Sequence, residues 1–249
     1  ALKSLSRRVD ELIPVALNQG NYLAAARCIE YQVRLRDQLT EDSFFFYNSR
    51  TADSLLRLPS LPAEFKTALN LHLARRLALF TRRGLRFNRK LYERKELPVN
   101  YAALSNTELL QLARRHFDTA KKLASNLGTI PVSDIIWMSS DPLQFLFRPG
   151  LYDIIISEQI QLLGNGYSYD NAFSPDGITV FDYNPDEFIS RIGSFTFTDS
   201  SKRFTLSLYA EWLGYHRQSP STYYFIESLA RKFCFEQTQL GYNKNDIWL

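Results

Sequence analysis

The sequence predicts a mostly α-helical fold, built of antiparallel helical hairpins arranged as a bundle or an irregular tetratricopeptide-like solenoid. Three observations carry that expectation. Apolar residues recur at intervals of three and four through most of the chain, the spacing that lines one face of a helix. Gly and Pro cluster at the joints between such segments, where turns belong. The chain has 249 residues, 45% of them apolar and 14% aromatic, enough to build an ordered core. An aromatic, loop-rich insertion is expected at about 164–200.

Leu2, Leu5, Val9, Leu12, Ile13 and Ala16 mark a first helix over 2–18, with Pro14 predicting a kink or a restart because it lacks an N–H. Gln19-Gly20-Asn21 stops it, and Tyr22, Ala25, Ala26, Ile29 and Val33 follow helical spacing toward Leu39. Ala16, Gly20, Tyr22 and Ala25 resemble the middle of a tetratricopeptide unit, and an ordinary helical hairpin explains them equally well. Asp42-Ser43 is a cap for a third helix through Phe44, Tyr47, Thr51, Leu55 and Leu58, which Pro59 to Pro62 terminates. The strongest helix runs from Ala63 to Arg82 on the stripe Phe65, Leu69, Leu73, Leu77 and Phe80, and Leu85 to Arg94 continues as a more basic one. Ser105 and Glu108 form a capping box for the next helix. That helix has Leu109, Leu112, Ala113, His116, Phe117 and Ala120 inward and the pairs Arg114-Arg115 and Lys121-Lys122 outward.

Trp137 to Phe147 reads as an aromatic plug, and Pro149 opens a buried helix from Leu151 to Leu163. Asp153 in its first turn suits the positive helix end. Glu158 lies on the same side as Leu151, Ile154 and Ile155, a semi-buried carboxylate that pairs with Arg148 or another Arg. Gly164 to Asn184 is a Tyr- and Phe-pinned loop with one short strand at 178–181. A short helix starts at Pro185, and two more helices close the chain: Phe204, Leu208, Trp212 and Leu213 line one, Tyr224, Leu229 and Phe233 the other. The resulting division is a basic hairpin array over 1–131, a plug, helix and loop region over 132–200 and a hairpin over 201–249, packed as one continuous unit.

Trp137, followed by Arg148-Pro149-Gly150-Leu151-Tyr152-Asp153, resembles the helical N-terminal region of the large alpha-2-macroglobulin-like proteins of Bacteroidetes envelopes. Ser4 to Asp10, Gly20-Asn21-Tyr22 and the segment with Cys28, Ile29, Tyr31 and Gln32 fit it too, so that it covers most of 1–190. The resemblance implies a parent that inhibits or traps proteases, located in the periplasm or outer cell envelope. This region would then be its scaffold, with the parent's other domains as partners. The family's bait segment is absent, and Cys28-Ile29 and Cys234-Phe235 exclude its thioester. The opening at Ala1 and the tail from Asn243 to Trp248 read as those of a piece of a longer polypeptide.

Chemistry is sparse. His72, His116 and His216 have no His, Cys, Asp or Glu at a useful offset on their own helix face, and no phosphate loop, zinc motif or nucleophile elbow occurs. Asp170, Asp176, Asp182 and Asp186 are spaced unlike a calcium loop. No catalytic, cofactor or metal residue is therefore expected, and the chain reads as a non-catalytic module. The net charge of +4 conceals an asymmetry: 22 Lys+Arg against 12 Asp+Glu in 1–131, and 8 against 14 thereafter. Residues 75–95 hold nine Lys or Arg and one acid, with Arg75, Arg82, Arg86 and Arg89 roughly aligned. These four make an interaction surface, or a solvated face whose aliphatic stems cover the core edge; nucleic acid is not the expected partner. No apolar run has the length of a membrane span. The alternative is a free-standing helical-repeat module that binds a protein or peptide.

Overall fold

Several helix boundaries coincide with capping chemistry that the sequence already carries. The computed structural model describes residues 2–37, 43–82, 101, 104–127, 150–164, 185–192, 200–219, 222 and 226. All regular structure among them is helical. Contacts divide the chain into two compact units, 1–162 and 163–249.

The first unit opens with α1 (Leu2–Asn18) and α2 (Tyr22–Asp37), packed on each other. Helix α1 runs through Pro14 without a restart. Its end is a Schellman turn: the Asn21 N–H donates to the Ala16 carbonyl at 2.8 Å and the Gly20 N–H to that of Leu17 at 3.0 Å. Gly20 takes φ +68°, which an L side chain resists, so glycine is needed there for its backbone. Asn21 also starts the next helix, its Oδ1 accepting from the Ala24 N–H at 3.2 Å.

Helices α3 (Ser43–Leu56) and α4 (Ala63–Arg82) follow. Periodicity predicts a single apolar stripe on α4, but the helix is buried on nearly all sides, packed against α2, α3 and α5. Phe65, Leu69, Leu73 and Leu77 are interior, and so are Leu71, Ala74, Ala78, Thr67 and Asn70. The polar members stay there because they bond to their own helix: Thr67 donates to the Ala63 carbonyl and Asn70 to that of Lys66, both at 2.8 Å.

Helix α5 (Asn106–Ser125) has the expected capping box, with Ser105 as cap and Glu108 returning to the Ser105 N–H at 2.7 Å. It makes the most extensive packing partner of α4. One expectation fails here. Lys121 does not decorate the outside: its side chain is 7% exposed, and its ammonium reaches Asp118 at 3.4 Å. The long aliphatic stem lies along the core edge while the tip finds a carboxylate one turn back.

Helix α6 (Leu151–Gln159) packs on α5 and is buried from Leu151 through Ser157. Gly150 supplies no side-chain cap, and the Asp153 carboxylate takes the Gly150 N–H at 3.0 Å instead. The chain then widens into a π-helical turn, Ile160–Gly164, within which the first unit ends.

In the second unit α7 (Pro185–Arg191) packs on α8 (Ser200–Tyr215). Thr205, Leu206, Leu208, Tyr209, Trp212 and Leu213 are buried along α8. Thr205 donates to the Gly164 carbonyl at 2.7 Å, and a Cβ on Gly164 would sit 2.6 Å from the Thr205 hydroxyl oxygen. That contact explains the glycine. The strand expected at 178–181, most of the loop-rich insertion, the basic segment after Arg82 and most of the closing helix lie outside the described residues.

Candidate functional site

Four polar side chains of the first unit converge where α2, α4 and α6 meet. On α4, His72 and Arg75 are three residues apart and so share a face. Glu30 of α2 approaches from one side and Glu158 of α6 from the other. The Arg75 guanidinium uses Nε and Nη2 for the two oxygens of Glu158, a bidentate fork, and Nη1 for Glu30 Oε1 at 3.2 Å. His72 Nδ1 lies 3.2 Å from the same Glu30 oxygen. The four side chains are 3% to 16% exposed.

Burial alone would push the Glu30 carboxyl up. The hydrogen bond and charge of His72, then the guanidinium groups of Arg75 and Arg34, overcome this and hold it at about 2. Burial likewise opposes the charge on Arg75, and Glu158 and Glu30 together drive its pKa up. Both groups are therefore locked in their ionised forms. A carboxylate so committed is a poor general base. A small cleft runs beside the cluster, lined by Ala26, Ile29, Ala68, Leu69 and Leu71 together with Glu30, His72 and Arg75. His72 Nε2 is buried with no hydrogen-bond partner.

Two further side-chain links join the helices of this unit. His116 Nδ1 meets Asn70 Oδ1 at 2.8 Å, joining α5 to α4, and Gln159 donates to Asp118 at 3.1 Å, joining α6 to α5. Burial drives the His116 pKa down to about 4, slightly opposed by Asp53, so the ring is neutral near pH 7.

Of the expected interaction surface, Arg75 faces inward: its side chain is 13% exposed and committed to two carboxylates. Its position on an all-round buried helix, with acids arriving from two neighbours, overrides the alignment seen in the sequence. The side chain of Arg82, and Arg86 and Arg89 entirely, lie outside the described residues, as do Trp137, Arg148 and Pro149. Leu151, Tyr152 and Asp153 are buried at the start of α6. Glu158 finds Arg75 as its partner. The Glu30–His72 contact spans 42 positions, and its only trace in the sequence is a carboxylate between Ile29 and Val33 on the inward side of α2. Asp186 pairs with Arg217 at 3.0 Å on the surface of the second unit. Among the described residues no three His, Cys, Asp or Glu are grouped as metal ligands, and no helix is long and apolar enough to cross a membrane.

Comparison with protein-family models, with curated proteins and with solved structures returned no match for this chain.

Proposed function

We propose that this chain is a non-catalytic helical scaffold module, a rigid spacer within a larger envelope protein of the alpha-2-macroglobulin type whose parent traps proteases. The observation that carries the scaffold reading is the Glu30–His72–Arg75–Glu158 cluster. Its two carboxylates are taken up by Arg75 and His72 across three helices instead of facing a substrate. A fork that ties α4 to α6, with a third bond to α2, fixes the spacing of those helices, which is what a spacer requires. The parent's identity rests on the resemblance of Arg148 to Asp153 and of the opening hairpin to that family. Its other domains, and proteases reached through the parent, are the partners proposed.

The test is the natural polypeptide. An antibody raised to this chain should detect a species several times larger than 28.9 kDa in the envelope fraction. That protein, purified, should retain proteases in an inhibited complex. A cytoplasmic species of the chain's own mass would end the envelope reading and leave a free-standing helical adaptor.

A further inference from the structure

Helix α1 carries two apolar seams, and only one of them is covered. Ser6, Val9, Ile13 and Ala16, spaced three, four and three residues apart, are buried where α1 packs on α2. Leu5, Arg8, Leu12 and Val15 repeat the same spacing one residue earlier. At about 100° per residue the second seam lies about 100° around the helix from the first. It is open to solvent: Leu5 is 51% exposed, and Leu12 and Val15 are each 47% exposed. Among the described residues the large exposed apolar side chains number eight, and three of them fall in this one ridge, about 15 Å long.

A ridge of three-four-three spacing is what a helix offers to another helix, and here three of its four members, Leu5, Leu12 and Val15, are apolar. The second seam differs from the first in its charge. Arg8 stands exposed within it and makes no side-chain hydrogen bond or ion pair with any described residue. Glu11, the nearest acid, is already bridged to Arg7 at 3.6 Å on the other flank. A guanidinium inside an apolar seam is matched by a carboxylate on the opposing helix. A second copy of this chain answers that poorly, since it brings another Arg8 within the seam and, at its edge, only Glu11, already bridged to Arg7.

We propose that the Leu5–Arg8–Leu12–Val15 seam docks an acidic amphipathic helix of another protein, with apolar residues in three-four spacing and a carboxylate opposite Arg8. The inference is independent of the parent's identity.

The experiment uses the 249-residue chain and a fluorescently labelled synthetic helix with leucines in three-four spacing flanked by glutamates, followed by anisotropy. Saturable binding is expected. It should weaken about tenfold or more in Leu12→Ser/Val15→Ser, whose altered side chains are already exposed and whose circular dichroism should be unchanged. Arg8→Glu should weaken it similarly and gain affinity for the same helix with lysines replacing the glutamates. Absence of saturable binding overturns the proposal, as does binding indifferent to Leu12→Ser/Val15→Ser. Two further outcomes would also overturn it. In one, anionic phospholipid vesicles bind the chain through this seam while the peptide does not. In the other, sedimentation shows a dimer that Leu12→Ser/Val15→Ser abolishes.

Discussion

Replacing Arg75 by Met tests the cluster directly. The variant keeps an aliphatic stem in the core but leaves Glu158 without either bond of its fork and Glu30 with His72 and the charge of Arg34. Removing one member of a buried pair costs roughly 3–5 kcal/mol, because the remaining charge is stranded away from water. At a urea dependence of about 2 kcal/mol per molar, a loss of about 4 kcal/mol lowers the midpoint by about 2 M. Urea titration followed by far-ultraviolet circular dichroism at pH 7 reads this, with the transition of residues 1–162 the one that moves. Two controls sharpen it. Arg75→Met/Glu158→Leu should recover most of the loss, since the pair is then replaced by apolar groups of similar size. The deficit of Arg75→Met should also narrow as pH falls, because a protonated carboxyl tolerates burial without a cation. In the parent chain the sign is opposite. Glu30 is held at about 2 against an ordinary 4.5, so the unfolded chain binds more protons between those values. Its contribution, of order 3 kcal/mol, is fully present above about pH 4.5 and is lost as pH falls toward 2. A midpoint for Arg75→Met within about 0.5 M of the parent at pH 7 would refute the reasoning.

Other outcomes follow from single contacts. His116 should titrate with a midpoint of about 4 in a histidine proton NMR series. Because its folded value lies below its unfolded one, the unfolded chain takes up its proton first, and stability should decline as pH falls from about 6.5 toward 4. Gly164→Ala should destabilise the second unit by about 1–3 kcal/mol, since the new Cβ meets the Thr205 hydroxyl at 2.6 Å. Thermal melting monitored by tryptophan fluorescence checks it, and Gly164→Ala/Thr205→Ala should restore part of the loss.

Local rules made most of the helices legible. Gly20, Pro62 and the Ser105–Glu108 pair are signals whose meaning depends on a few neighbouring residues, and they place the ends of α1, α4 and α5 within a residue or two. Glu158 stood out for the same reason, as a carboxylate on an apolar helix face. What stayed hidden required knowing which helices touch. Arg75 reads as one of a row of basic residues until Glu158 and Glu30 are brought to it from 83 and 45 positions away. Lys121 reads as half of a surface pair because a side chain that buries its stem and bonds its tip looks polar in one dimension. The all-round burial of α4 was equally invisible: an amphipathic stripe reports the first neighbour a helix acquires, and α4 has three.

The order in which the Arg75 cluster is assembled has a consequence for synthesis. Helix α4 is complete when residue 82 has been made, but the acid that takes both arms of the Arg75 fork arrives 83 positions after the arginine itself. At translation rates of about 5–20 residues per second, the guanidinium waits roughly 4–17 s for it. Helix α5 is complete at residue 125 and covers its side of α4 within that interval, while the two arms of Arg75 meant for Glu158 stay open and Glu30 holds the third. Completion of the fork is thus timed by the emergence of Glu158, long after the helix that carries the arginine has been made.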